Sequence, residues 1–493
     1  MTPAALGIDV GTTNVKVAVV ERGETPRVAV RGEASHPTLR PAPERAEQDP
    51  AAWSAALAAA LAPIRPALDE VAAVTVCGQG STFMLVDSEG EALDRAIGWQ
   101  DLRAAEDARR LGEELAPALA RANGNRIGDA PEPKLMWLRR QEPQILSAAT
   151  GALTAAAYLG ARLGARAALS EGDAGSWVSW NRHEKIWDET IVQRLALADL
   201  LPPVEPLGTV LGEVSPAAGS WTGLPSGTPI VAGTTDVAAA AIAAGVGRAG
   251  EVYYSKGTGG FVCVHVGPIV DPGPLLALPS GRDGVVQLCG ATDTLGAAWD
   301  WARQLAGGLD HEDAEELGRA VGPGAGGLLL LPWLQGAQHP ILAPEARGVA
   351  LGLSLETGPG ALLRAVLEGT SAMLRAQLDV ARRQSSERLE LVVASGGPTR
   401  NDLWNRLDAS AAEIPVIVAE ETDAAVGAAL IAGEALDLWP DALLAGRELR
   451  GEGRRYEPES ELVAQARACS SLADRLAQAV SPLFSDLSRM RRP

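Results

Sequence analysis

An α/β fold made of two related halves is the architecture this sequence predicts, and three observations carry it. Apolar strand-like runs alternate with Ala- and Leu-rich helical stretches along the chain, the order that gives sheets covered by helices. The opening pattern of strand, Gly-Thr turn and strand, ALGIDV-GTTN-VKVAVVE, returns from residue 250 as GEVYYSKGTGGFVCVHVG, roughly 245 residues later, which reads as an internal duplication. The length of 493 residues suits two or three domains. The expected domains are residues 1–246 and 247–493, the second including a helical tail.

The elements follow in order. ALGIDV and VKVAVVE, with apolar alternation after the turn, predict a hairpin. Residues 48–66 have helical spacing after an Asp-Pro start, VAAVTVCGQ is a strand, and AAEDARRLGEELAPALARA is one helix. After the second hairpin come a helix near 291–306, a Gly-rich loop, the strand LLLLPWL and a long helix from about 359 to 383. LELVVASGG is a buried strand ending in glycines, followed by a helix at about 401–413, the strand PVIVA and an Ala-rich helix at about 423–436. GRELRGEGRRYEPES is expected to be a surface connector, and 459–488 a helix of mixed charge.

Composition narrows the function. Lys and Arg number 43 against 62 Asp and Glu, a net charge of −19, which repels polyphosphate and anionic lipid. Neither nucleic acid nor a membrane surface is an expected partner. Cys77, Cys263, Cys289 and Cys469 form no CxxC pair and no metal-ligand spacing, so they read as buried thiols of a reducing cytoplasm. The start MTPAALGIDVG has neither a basic leader nor an apolar core of about 7–15 residues, and no apolar run is expected to reach the roughly 18 residues of a membrane span. Only four lysines, at 16, 134, 185 and 256, stand among thirty-nine arginines. Each either marks a place that requires a compact ammonium rather than a planar fork, or is there by chance.

Four segments offer chemistry. In DVGTTNVK, Asp9 leaves a buried strand beside Gly11, Thr12, Thr13 and Asn14, with Lys16 beyond. Backbone N–H groups, hydroxyls and one ammonium can meet a phosphate there while Asp9 holds a hydrated Mg²⁺; the plain alternative is a self-satisfied hairpin turn. The recurrence as SKGTGG, with Gly257, Thr258 and Gly259, favours phosphates clasped by two such turns. In GTPIVAGTTDVAAAAIAAGV, Asp236 opens a helix apolar all round and hence buried. The helix-end field there is expected to keep its carboxylate ionised and ready to accept a hydroxyl proton, unless it serves only as a cap.

In VVASGGPTRNDLWNRL, Gly396 and Gly397 let a flat ligand lie on the backbone and Asn401 can hydrogen-bond a base or ribose, although any strand-to-helix turn can look so. In CGQGSTF and AIGWQDLRA, Gln79, Gly80, Ser81 and Trp99 supply hydroxyl-reading groups and an apolar face for a sugar, with core packing of Trp99 as the alternative.

Taken in order, GIDVGTTNVK, EQDPAAW, GQGS, WQDLRA, EPKLMWL, VAGTTDVAAAA, SKGTGG, LLLLPWLQG, ARGVALGLSL, SGGPTRNDLW and TDAAVGAAL resemble the FGGY carbohydrate kinases, most of all the xylulokinase group, over nearly the whole chain. The resemblance implies two ribonuclease-H-like domains of the actin-like ATPase type, with ATP and Mg²⁺ in a cleft between them and the sugar held mainly by the first. It places Asp9, Thr12 and Thr13 in the first phosphate and Mg²⁺ motif and Gly257, Thr258 and Gly259 in the second. Asp236 becomes the general base, and Gly396, Gly397 and Asn401 fall in the adenosine motif. Lys134 and Lys185 receive no role. Where xylulokinases usually carry Met-His after the glutamine, this chain has Gly80 and Ser81, and in place of Gly-Glu-Arg it has Gly336, Ala337 and Gln338.

The expected activity is ATP-dependent phosphorylation of a primary hydroxyl on a ketopentose or polyol by a cytoplasmic enzyme, with a homodimer left open. The alternatives are kinases of glycerol or gluconate and a non-enzymatic, nucleotide-gated actin-like module.

Overall fold

The computed structural model describes residues 2–420 and 422–490; Met1, Glu421 and 491–493 lie outside the described residues. The chain forms two compact units, Met1–Gly247 with Ala277–Val286 and Glu421–Gly451, and Arg248–Leu276 with Gln287–Glu420 and Glu452–Pro493. Beyond the expected division near 246, the first unit thus takes in two later segments. The second of these contains the helix Ala424–Ala435, whose residues from Ala424 to Gly433 are all buried. A helix apolar on every side has to find cover all round.

The first unit is built on a six-stranded sheet. Ala4–Val10 pairs antiparallel with Asn14–Glu21, which pairs antiparallel with Arg27–Ser35. On its other side Ala4–Val10 runs parallel to Val71–Gly78, followed by parallel Pro229–Val231 and antiparallel Val210–Glu213. Gly7 lies under the helix Ala424–Ala435 so closely that a Cβ there would stand 1.8 Å from the Ala425 carbonyl oxygen. Gly427 in turn lets that helix approach Asp236–Ala243, since its Cβ would stand 1.8 Å from the Ala239 oxygen. Removing two side chains is what brings the helix of Asp236 down to the sheet that carries Asp9.

The second unit repeats this plan. Glu251–Lys256 pairs antiparallel with Gly260–Val266, next to which lies Val286–Thr292. On its other side it runs parallel to Leu391–Ser395, then come parallel Val416–Val418 and antiparallel Arg454–Tyr456. Hairpin, two parallel strands and an antiparallel edge thus occur in the same spatial order in both units, as a duplication requires. Helices Pro359–Gln384, Asp402–Ala412 and Ser460–Met490 belong to this unit.

Three local expectations change. The helix expected over 104–122 is two, Ala105–Glu114 and Ala116–Ala122, because Pro117 supplies no N–H to continue the ladder. The segment 446–460 is no mere connector: it holds the end of the helix Ala442–Arg450 and the edge strand Arg454–Tyr456. An edge strand facing solvent lacks the apolar alternation that would reveal it. Lastly, Pro50–Glu70, 21 residues that contain an 18-residue window of mean hydropathy 1.3, is long and apolar enough by composition to cross a membrane. It is an α-helix, Pro50–Leu61, continued by a nine-residue 3₁₀ helix, Ala62–Glu70. Trp53, Leu57 and Leu61 on it are fully buried in the first unit's core, so its apolar side chains are taken up by packing within the protein.

Candidate active site

In the first unit the tight turn after Ala4–Val10 is closed by Gly11 N–H donating to the Asn14 carbonyl at 3.0 Å. Asp9 stands opposite Lys16 across the hairpin and beside Cys77 on the parallel strand. Burial, with the negative charges of Asp236 and Asp423, pushes the Asp9 carboxyl well above its ordinary range, and Lys16 pulls it back. Among the described residues no group of three or more His, Cys, Asp or Glu is arranged to hold a metal ion. Mg²⁺, however, keeps several waters and takes one or two carboxylates plus phosphate oxygens. A buried carboxylate raised by two further carboxylates suits such a cation, which would relieve their repulsion.

The hydroxyl of Thr12 accepts from the Trp99 indole N–H at 3.1 Å. Its carbonyl accepts from Thr38 and Gln48 at 2.9 and 3.0 Å. Thr13 is exposed at the tip of the turn. The Asn14 amide donates to Glu33 at 2.5 Å, so that side chain is already committed. Gln79, expected to read the sugar, is 3 % exposed and donates to the Gln48 side chain at 2.7 Å and the Gly11 carbonyl at 3.2 Å. Its amide nitrogen braces the turn. At Gly80 a Cβ would meet only Thr235 Cγ2 at 3.5 Å and Ser176 Cβ at 3.7 Å, so position 80 faces the residue before Asp236. Ser81 is buried and adopts φ 58°.

Asp236 begins the helix Asp236–Ala243, and its Oδ1 accepts from the Val237 N–H at 2.7 Å. The expectation that the helix-end field keeps this carboxylate ionised needs correction. Burial, reinforced by the Asp173 carboxylate, outweighs the Val237 hydrogen bond and raises the Asp236 carboxyl to about 6. That is closer to the value a general base needs near neutral pH than an ordinary carboxylate. Asp173, 4 % exposed and itself raised to about 6 by burial, accepts from the Ser170 hydroxyl at 3.0 Å. The turn that carries it abuts the strand end before Asp236, since a Cβ on Gly172 would stand 2.1 Å from Thr234 Oγ1. Neither Asp173 nor Asp423 was legible in the sequence. Asp173 sits in a four-residue helical turn with no periodicity, and Asp423 looks like the helix cap it also is.

In the second unit Gly257, Thr258 and Gly259 form the corresponding turn, with Gly257 and Thr258 exposed. The Gly257 N–H donates to the Gly259 carbonyl at 2.8 Å. The carbonyls of Gly257 and Thr258 accept from the N–H groups of Leu295, Gly296 and Ala297 at 2.9–3.0 Å, so the start of the helix Gly296–Leu305 holds the turn. Lys256 points away from it, into the core: it is 0 % exposed and donates to Asp408 at 2.7 Å.

Asn401 caps Asp402–Ala412 through Oδ1, which accepts from Trp404 N–H at 2.8 Å, while its Nδ2 is buried and has no partner among the described residues. The two glycines of the motif differ. Gly396 has φ 103° and a Cβ there would stand 1.9 Å from the Lys256 carbonyl oxygen, whereas Gly397 has nothing within 4 Å. Gly397→Val is therefore the clean probe of whether a nucleotide lies against this surface. It is expected to weaken ATP in calorimetry while leaving sugar binding without nucleotide unchanged, and equal losses for both ligands would sink the assignment. Gly396→Val is expected to impair folding.

Two α/β units whose sheets share the same order over six strands, each unit with a Gly-Thr hairpin at the heart of its sheet, define a protein of the actin-like ATPase fold. The chain belongs to the FGGY family of carbohydrate kinases: the N-terminal domain of that family matches residues 4–243 and its C-terminal domain residues 252–436. It is an ATP-dependent carbohydrate kinase. Among its relatives is the xylulose kinase of Streptomyces coelicolor, 33 % identical over 466 residues that cover 92 % of this chain and 91 % of the relative. The glycerol kinase of Gloeobacter violaceus is 30 % identical over 478 residues, 94 % of each chain. The crystal structure of the ligand-bound xylulose kinase from Lactobacillus acidophilus superposes with a TM-score of 0.92, covering 98 % of this chain and all of that one, at 22 % identity. At that identity the likeness speaks for the fold. A non-enzymatic actin-like module is set aside by the family.

Proposed function

We propose that the enzyme phosphorylates a primary hydroxyl of a ketopentose or polyol, with Asp236 as general base. The observation that carries this reading is the Asp236 carboxyl, raised to about 6 at the start of a buried helix and adjoined by the small residue Gly80 through Thr235. Asp236 takes the hydroxyl proton on a carboxylate oxygen as the substrate oxygen bonds to the γ-phosphorus and the bond to ADP breaks. The rest is positioning. Thr12 and Thr13 in the first turn, and Gly257, Thr258 and Gly259 in the second, present N–H and hydroxyl groups to phosphate oxygens. Lys16 adds positive charge, Asn14 shapes the turn, and the open surface at Gly397 with the free Nδ2 of Asn401 accommodates adenosine. Mg²⁺, when bound on Asp9, would neutralise charge between the phosphates. Residues 1–246 would serve the sugar and 247–493 the nucleotide.

We place the enzyme in the cytoplasm with small molecules as its partners, consistent with the net charge of −19, and a homodimer is compatible with this reading. Turnover measured across ketoses, polyols and sugar acids tests it, and absence of phosphorylation on every ketose and polyol would overturn it.

The identity of the sugar turns on positions 80 and 81. Gly80 and Ser81 leave a roomier pocket than Met-His, so we propose that D-xylulose is a poor substrate beside a polyol or another ketose. Missing contacts cost only roughly 1–3 kcal/mol, about 10- to 200-fold, and do not forbid a substrate. Gly80→Met has room for its Cβ, and Ser81→His keeps a residue that tolerates positive φ. The double variant is expected to raise kcat/KM for D-xylulose within that range and to lower it for the preferred substrate. A parent enzyme with sub-millimolar KM for D-xylulose would refute the argument.

A further inference from the structure

Lys134 is 2 % exposed on the helix Pro131–Gln141, and its ammonium group donates to the Gly98 carbonyl at 3.0 Å and the Asp129 carbonyl at 2.8 Å. Burying an ammonium against carbonyl dipoles is costly, and the cost shows as a pKa lowered to about 8 by burial. In a chain with thirty-nine arginines, retention of lysine here follows from shape: a compact ammonium fits between two carbonyls where a planar fork does not.

What the ammonium holds is the turn that begins at Gly98. The Gly98 N–H is itself tied to the Ala46 carbonyl at 2.8 Å, and its carbonyl also accepts from Asp101 N–H at 3.1 Å. The next residue is Trp99, whose N–H donates to Thr82 Oγ1 at 3.0 Å and whose indole donates to Thr12 Oγ1 at 3.1 Å. A continuous path therefore runs from Lys134 through the Gly98 carbonyl and the Trp99 ring to the first phosphate turn.

We propose that Lys134 is a positioning residue that fixes the Trp99 ring as one wall of the sugar site and, through Thr12, sets that wall against the phosphate turn. The inference rests on the sugar-kinase reading of Trp99 given above. Lys134 touches no reacting atom in this scheme. Its effect falls on sugar placement and not on the nucleotide, and Lys134→Arg is not expected to restore it, because a planar fork does not present its donors to two carbonyls as a compact ammonium does.

The test compares Lys134→Met, which keeps length and removes the donors, with Trp99→Phe and the double variant. Each single change is expected to lower kcat/KM for the sugar by about tenfold to a hundredfold, the scale of a misplaced substrate wall, with KM for ATP within about twofold. Because the two residues act along one path, the double variant should be no worse than the poorer single one. Additive losses, an equal rise in KM for ATP, or an unchanged kcat/KM in Lys134→Met would each overturn the proposal.

A second measurement does not depend on activity. In protein carrying 5-fluorotryptophan, the ¹⁹F resonance that disappears in Trp99→Phe should shift or broaden in Lys134→Met, and an unmoved resonance also defeats the proposal. If no sugar is turned over by the parent enzyme, the functional reading fails while this spectrum still decides whether Lys134 holds Trp99.

Discussion

Asp236→Asn is expected to abolish nearly all sugar phosphorylation, by about 10² to 10⁴ in kcat, the usual contribution of a general base. The amide retains the oxygen that accepts from Val237 N–H, so the helix start keeps its cap and ATP affinity should stay within a few-fold. What is lost is the ability to take a proton. The pH profile gives an independent check. Because burial and Asp173 raise the carboxyl to about 6, protonation begins at a higher pH than for an ordinary carboxylate. Parental kcat/KM should therefore fall as pH drops through about 6, while any residual rate in the variant should lack that limb. A variant working at near-parental rate would show that the proton goes elsewhere.

Lys256→Met should give the largest loss of stability. Lys256 and Asp408 are both 0 % exposed and 2.7 Å apart, with the ammonium also 4.4 Å from the centre of the Trp404 ring. Without the ammonium, the Asp408 carboxylate stays buried with the Ser371 hydroxyl at 2.6 Å as its remaining short contact. Removing one partner of such a pair typically costs about 3–5 kcal/mol. Lys256→Met combined with Asp408→Asn should recover most of it, since no buried charge is then left alone. Denaturant unfolding of the three proteins decides the matter, and a double variant as unstable as Lys256→Met would mean that packing, not charge, accounts for the loss.

The two Gly-Thr turns were legible because their signal is local. A strand, a Gly-Thr turn and a strand specify a hairpin within eighteen residues, and both hairpins have the expected bounds. The position of Asp236 was legible for a similar reason: a helix apolar on every side must be buried, and Asp236 is its first residue. The carboxylates around it were not. Asp173 and Asp423 reach the neighbourhood of Asp236 and Asp9 through packing of segments far apart in sequence, which no periodicity records. That the amides of Gln79 and Asn14 donate to Gln48 and Glu33 was not legible either. A side chain's partner is a matter of tertiary distance, and composition near a strand end cannot specify it.

The sequence by itself determined the α/β class, the duplication, the two Gly-Thr turns, the buried helix that Asp236 opens and the kinase family, because strand and helix periods, glycine turns and ordered motifs are properties of short stretches. Only the tertiary structure decided which of two adjacent glycines is spare, with Lys256 crowding Gly396 and leaving Gly397 open. It alone raised Asp236 to about 6 and gave Lys134 the Gly98 carbonyl to hold. Each of these depends on burial and on atoms brought within a few ångströms from distant parts of the chain, where desolvation and close packing set energies that no local pattern encodes.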